Sequence, residues 1–345
     1  MIDQSLHSFI EQMPKVELHV HLEGATQPEV LLELASRNGV TLPCGTTVDE
    51  LRKWYTFRDF PHFIEIYIAI SKCIQTAADI EYVAREFLKG QAAQNIQYSE
   101  VTFTPFTHFS FSKISFEDQI TALENARNWA RHELQIDAGW VLDISRNVRP
   151  IEHSITVAEW VIASRNRGVV ALGLGGPEVG HPPELFNQAF NLVIEAGMAA
   201  VPHAGETEGA ASIWGSLNTL GAVRIGHGVR CLEDPELVKV LRDHQIPLEV
   251  CPSSNVCLGV VKSLNDHPLP RLIDAGLLVT INSDDPPMFN TTLTDEYLRI
   301  ADVFGMDRMQ MKNLVLNAVR NTLMPDDDKL DMEQKFLMMF DKLEA

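Results

Sequence analysis

The chain has 345 residues, 45% hydrophobic and 22% charged, the balance of a globular protein long enough to bury a large core. Against 28 Lys and Arg stand 47 Asp and Glu, a formal charge of −19. That field repels polyanions, which argues against nucleic acid or an anionic membrane surface and in favour of a small-molecule partner.

The first residues, MIDQSLHSFIEQMPK, lack the basic start and apolar run of a secretory signal, and no stretch approaches the roughly 18 apolar residues of a membrane span. A cytoplasmic protein is expected. Short apolar runs then recur at 15–20, 96–103, 139–144, 169–174, 198–203, 222–227, 246–251 and 277–282. Their continuous apolar character suits strands buried on both faces of a parallel sheet. Amphipathic stretches at 28–38, 78–94 and 235–245 lie between them, with Gly197 and Gly276 placed as helix stops. Eight strands alternating with helices predict a single-domain (β/α)8 TIM barrel over 1–345 rather than an open doubly wound sheet.

Residues 40–77 exceed a simple crossover and predict a helical insertion after the first strand. Within it Phe57, Phe60, Phe63 and Ile64 stand at near-helical spacing. They fit an apolar face packed on the barrel, or the wall of a lid over its mouth. Cys44, Cys73, Cys231, Cys251 and Cys257 form no CxxC pair, and the gap between the last two matches no common zinc spacing. They read as reduced thiols. The tail from Asp326 reads as a helix whose Met, Phe and Leu face packs on the body.

Chemistry enters at the C-terminal ends of the predicted strands, where barrel active sites assemble. The first strand ends in His19 and His21, the fifth in HAGE with His203 and Glu206, the sixth in GHG with His227, and the eighth runs into Asp284 and Asp285. A strand repeats every two residues, so His19 and His21 project to one side. Alone, His-x-His is a weak signal. Facing a third histidine and a carboxylate, it makes a divalent metal site that suits zinc by ligand type, with iron or manganese as alternatives.

The motifs HVHLEG, LGLGGPE, HAGE, RIGHG, CPSSN and INSDDP, in this order from about Pro14 to about Phe289, resemble the adenosine deaminase family of metal-dependent amidohydrolases. The resemblance implies one Zn2+ held by His19, His21, His203 and Asp284. It implies that Glu206 protonates purine N1 and that His227 orients or deprotonates the attacking water. Asp285 then meets N7 and the Gly176 backbone meets N3, with His21, Glu23, Phe57 and Phe60 as further substrate contacts. A different zinc deaminase class carries His-x-Glu with Pro-Cys-x-x-Cys, and CPSSNVC has the wrong order and spacing for it.

The implied reaction is hydrolytic deamination of a 6-aminopurine, with adenosine to inosine as the leading expectation. Two features pull away from adenosine. Glu23 stands where many family members carry an Asp that contacts the ribose 5′-hydroxyl, and members with Glu there include adenine deaminases. YTFRDFPHFIEIYIAI, SEVTFTPF, GLGGPEVG and INSDDPPMF resemble members that deaminate 6-amino-6-deoxyfutalosine, a 6-aminopurine riboside with an aryl carboxylate beyond C5′. Arg58 or Arg146 would meet that carboxylate. AMP is disfavoured, since no Gly-rich or basic phosphate cradle is evident. Hydrolysis of another small C–N bond and purine binding without turnover are the rival readings; a mere binder has no need of Glu206. The sequence leaves the oligomeric state open.

Overall fold

The computed structural model describes residues 3–58 and 60–344, the side chain of Phe60 excepted. Eight parallel strands follow one another around a sheet in chain order: β1 (Lys15–His21), β2 (Ile96–Phe103), β3 (Asp137–Ser145), β4 (Val169–Gly175), β5 (Ala199–Ala204), β6 (Ile225–His227), β7 (Leu248–Val250) and β8 (Val279–Ile281). Helices connect them, giving the expected (β/α)8 barrel. The last three strands, of three residues each, are shorter than their apolar runs.

The seam between β8 and β1 closes through the segment after β8. Leu18 N–H donates to Asn282 Oδ1 at 2.8 Å, Asp284 N–H to the His19 carbonyl at 3.1 Å, and His21 N–H to the Asp284 carbonyl at 2.9 Å. Barrel closure therefore places a carboxylate-bearing residue beside both histidines of β1.

The insertion holds two helices. Val48–Tyr55 starts on a capping box between Thr47 and Glu50. Phe60–Cys73 buries Ile66 and Ile70 in the apolar layer around the first half of the barrel. A second apolar layer packs β6–β8 against Arg308–Arg320 and the tail helix Asp326–Glu344, which buries Phe336 and Phe340 as its pattern predicted.

The interior of the barrel carries a fully buried charge chain. Arg224, just before β6, donates through Nε to Glu249 of β7 and through Nη2 to Glu100 of β2, and its Nη1 meets the Asn321 carbonyl at 2.7 Å. The Leu323 amide donates to the other Glu100 oxygen. The entry side of the barrel is held in the same way: Lys15 Nζ donates to the carbonyls of Met13 and Gln94 at 3.0 Å each and of Glu11 at 3.3 Å. Among the described residues, no helix is long and apolar enough to cross a membrane.

Candidate active site

His19 and His21 end β1, His203 ends β5 and Asp284 follows β8; all four are buried, with their ligand atoms within 4.8 Å of one another. His21 Nε2 lies 3.1 Å from His203 Nε2 and 3.2 Å from Asp284 Oδ1, and His19 Nε2 lies 3.6 Å from the same oxygen. Ligands about 2.0–2.1 Å from a tetrahedral metal stand roughly 3.3 Å apart, so these spacings fit a divalent cation at their centre. His19 Nε2 has no hydrogen-bond partner within the protein. Its other nitrogen, Nδ1, donates to Glu249 Oε2 at 2.9 Å, which fixes the ring and leaves Nε2 as the free lone pair. Burial alone pulls a histidine's pKa down, yet Asp284 and Glu249 hold His19 up at about 10, the field of a site that attracts positive charge.

Two residues here adopt left-handed backbone: His227 at φ 61° and Asp284 at φ 64°. Such conformations cost energy for a residue with a Cβ and cluster at working sites. Both side chains thereby turn into the mouth, with His227 Nε2 4.0 Å from Asp284 Oδ2 and 3.6 Å from Glu206 Oε1.

The tautomer of His227 is set from a distance. Leu269 N–H donates to His267 Nδ1 at 3.0 Å, so the proton of neutral His267 sits on Nε2 and points at Asn255 Oδ1, 3.1 Å away. Asn255 then presents its Nδ2 to His227 Nδ1 at 3.4 Å. His227, held neutral by burial with its pKa lowered to about 4, therefore carries its proton on Nε2, facing the metal cluster. Asn255 belongs to CPSSN, and this chain is the purpose of that motif.

Glu206 lines the same cavity with Oε1 unpartnered, and burial, then Asp284 and Glu178, raise its carboxyl well above the usual range. It is placed by a carboxylate the sequence reading did not single out. Glu178, at the end of LGLGGPE, accepts from the backbone N–H groups of Gly205, Glu206, Thr207 and Glu208 and from Ser212 Oγ. An anion bonded by four successive amides fixes the loop after β5 and the angle at which Glu206 enters the mouth.

Asp285 also lines the cavity with Oδ1 unpartnered, and burial followed by the Asp284 charge raises its carboxyl well above the usual range. A Cβ on Gly24 would stand 1.5 Å from that oxygen, so the glycine of HVHLEG is the space Asp285 occupies. Gly176 lies on the wall with φ 87°, a conformation open to glycine. Asp143 of β3 completes the polar lining, its carboxyl pushed up to about 6, chiefly by burial.

The cavity holds about 210 Å³, and Phe63, Ile64, Tyr67, Ile68 and Ser71 of the insertion form one wall. The insertion both packs on the barrel and faces the cavity. Several expected contacts lie elsewhere. Glu23 is fully buried outside the lining, bonded by the Thr104 amide and His108 Nε2 at 3.0 Å each and by the Tyr67 hydroxyl at 3.3 Å. Phe57 stands behind the wall, against Phe63 and Phe289. The Phe60 side chain is outside the described residues. Arg146 is fully buried and off the cavity lining, with Nη1 and Nη2 donating to the carbonyls of His181 and His203. Arg58 is exposed and off the lining. All five cysteines are free; Cys251 lies near the cluster, but its thiol donates to the Glu249 carbonyl and burial keeps it protonated.

Comparison with known proteins places the chain in a family. The adenosine deaminase family model matches residues 14–338. An aminodeoxyfutalosine deaminase of Streptomyces avermitilis is 40% identical over 325 residues, covering 92% of this chain and 88% of that protein. An adenine deaminase of Geotalea uraniireducens is 41% identical over 327 residues, covering 94% and 91%. The crystal structure of an adenine deaminase from Arthrobacter aurescens superposes with a TM-score of 0.90 at 32% identity, over 96% of this chain and all of that one.

Proposed function

Because this chain belongs to the adenosine deaminase family, we propose that it is a zinc-dependent hydrolase that removes the 6-amino group of 6-amino-6-deoxyfutalosine, a nucleoside with an aryl carboxylate beyond C5′. The observation that carries the choice is the outer part of the cavity. Ile64, Ile68, Phe111 and Leu258 extend an apolar lining beyond the polar groups at the metal, and Phe111 and Ile68 are exposed at its rim. Glu23, the residue expected to read a 5′-hydroxyl, is sealed behind Tyr67. A substrate with a flat apolar group at that end fits better than adenosine. Neither Arg58 nor Arg146 meets the cavity; Lys72, with Nζ 5.9 Å from the ring centre of the rim residue Phe111, is the cation nearest that ring but is itself off the lining.

A divalent cation held by His19, His21, His203 and Asp284 supplies the acidity that makes water a nucleophile at neutral pH. The remaining steps belong to the protein. Glu206, kept protonated, gives its proton to N1 and makes C6 electrophilic. His227 presents Nε2–H and so orients the attacking water rather than deprotonating it. Asp285, also kept protonated, donates to N7, an acceptor in every N9-substituted purine. Water oxygen joins C6, one water proton passes to the amino group so that it leaves as ammonia when the C6–N bond breaks, and the other returns to Glu206, leaving a 6-oxo product that carries a proton on N1.

Free adenine is the second reading, favoured by the Geotalea and Arthrobacter relatives and by Glu at position 23. The test is ammonia release by zinc-reconstituted protein offered aminodeoxyfutalosine, adenine and adenosine side by side at equal low concentration. The highest kcat/KM is expected for aminodeoxyfutalosine. A higher value for adenine transfers the reading to the free base, and silence on all three rejects the aminopurine class.

A further inference from the structure

Among the described residues, three carboxyl groups keep a buried oxygen with no hydrogen-bond partner: Glu206 Oε1, Asp285 Oδ1 and Asp143 Oδ1. All three line the same cavity. A buried polar atom without a protein partner is costly, and in native proteins a ligand, an ion or a bound water supplies the missing group. Glu206 and Asp285 have purine N1 and N7. Asp143 has no assignment.

The fold makes room for Asp143 with some care. Its neighbours across the β3–β4 ladder are Gly173 opposite Asp143 itself and Gly175 opposite Ser145. A Cβ on Gly173 would come to 3.0 Å from the Asp143 Cβ, and one on Gly175 to 2.6 Å from its Oδ2. Two glycines on one face of a strand thus leave the space in which this carboxyl stands, 3% exposed, with Oδ1 free. Other buried carboxylates in the barrel are fully engaged, as Glu178 is by four amides and a hydroxyl and Glu17 by Ser283 and Gln91.

Position indicates what Asp143 meets. It sits on the strand beside the one that delivers Gly176, the proposed N3 contact. N3 and N9 flank the same ring carbon, so a neighbour of Gly176 faces N9 and whatever hangs from it. We infer that Asp143 is a specificity-determining residue that accepts a hydrogen bond from a donor at the N9 end of the bound purine. The donor is a sugar hydroxyl when the substrate is a nucleoside and the N9–H when it is the free base. The orientation of the ring rests on the function proposed above.

The test compares the wild type with Asp143→Ala and Asp143→Asn on aminodeoxyfutalosine, adenosine, 2′-deoxyadenosine, 3′-deoxyadenosine, adenine and 9-methyladenine, with zinc content and melting temperature measured for each protein. Expected is a rise in KM of about 10- to 100-fold for Asp143→Ala on the substrate that carries the donor, from loss of a hydrogen bond to a charged group. The analogue lacking that donor should already be weak with the wild type and lose nothing more in the variant. A nucleoside pattern identifies the sugar hydroxyl, and a loss confined to adenine against 9-methyladenine identifies N9–H. Equal losses on all substrates, or a fall in zinc content, would make Asp143 a structural residue and overturn the inference. Calorimetric binding of purine riboside, its deoxy analogues and purine to the zinc-loaded proteins separates this from a wrong reaction: a donor-dependent difference between wild type and Asp143→Ala stands even if no substrate is turned over, and no such difference overturns it.

Discussion

The two ends of this barrel are built from the same residue types and treat them in opposite ways. Towards the entry of the strands, Lys15, Glu100 and Arg224 are buried and every one of them is bonded to several partners. At the exit, His19, Asp143, Glu206 and Asp285 are each left with a nitrogen or oxygen that no protein group hydrogen-bonds. Buried polarity with its partners present is scaffold. Where several such unpartnered carboxyl oxygens line one cavity, they mark a place for a ligand, and the same fold carries both kinds of polarity, a few residues apart.

Substitutions can break that contrast. Glu206→Gln keeps the shape and removes the transferable proton, so turnover should fall by about 10³-fold or more with zinc content unchanged; an active variant measured by ammonia release would end the assigned role. Arg224→Met strands Glu100 and Glu249 without their cation, and a loss of about 3–5 kcal/mol is expected in urea unfolding. If instead stability holds while activity collapses, the entry end is part of the site. Glu249→Gln sharpens the boundary, since Glu249 joins Arg224 on one side to His19 on the other. Zinc affinity should drop roughly 10- to 100-fold by competition with a chelator, with activity restored by added metal.

The last contrast is a pH dependence at the entry. Burial, opposed by the Glu11 charge, lowers the Lys15 amine to about 7 from 10.5. Between those values the unfolded chain binds the proton and the folded chain does not, so the contribution of Lys15 to stability rises with pH across that window and is flat below it. The stability difference between wild type and Lys15→Met, followed by urea midpoints from pH 7 to 10, should increase; a flat difference would mean that the amine stays charged in its ring of carbonyls.

Much of the exit end was legible from sequence because its signals are local. His-x-His follows from strand periodicity, and HAGE, RIGHG and INSDDP sit where parallel strands end. Glu178, Glu249 and Asp143 were not legible as partners or lining, because each is a lone acid whose meaning lies in what the fold brings near it: Glu249 and the His19 it orients are 230 positions apart. Glu23 was read as a substrate contact and is closed off by Tyr67 and His108, which chain position alone does not bring together. The start of the insertion's first helix is marked in the sequence by Thr47 and Glu50, which form a capping box.

The seam has a consequence for how the protein is made. A chain emerging from the ribosome through its first seven strands already carries His19, His21 and His203 but not Asp284, whose backbone also zips β8 to β1. The complete ligand set and the closed seam therefore become available together, late in synthesis. Amide exchange at His21 and Asp284 should slow together when metal is added to chelated protein. If it does, a cell short of the ion accumulates open barrels rather than closed, inactive ones.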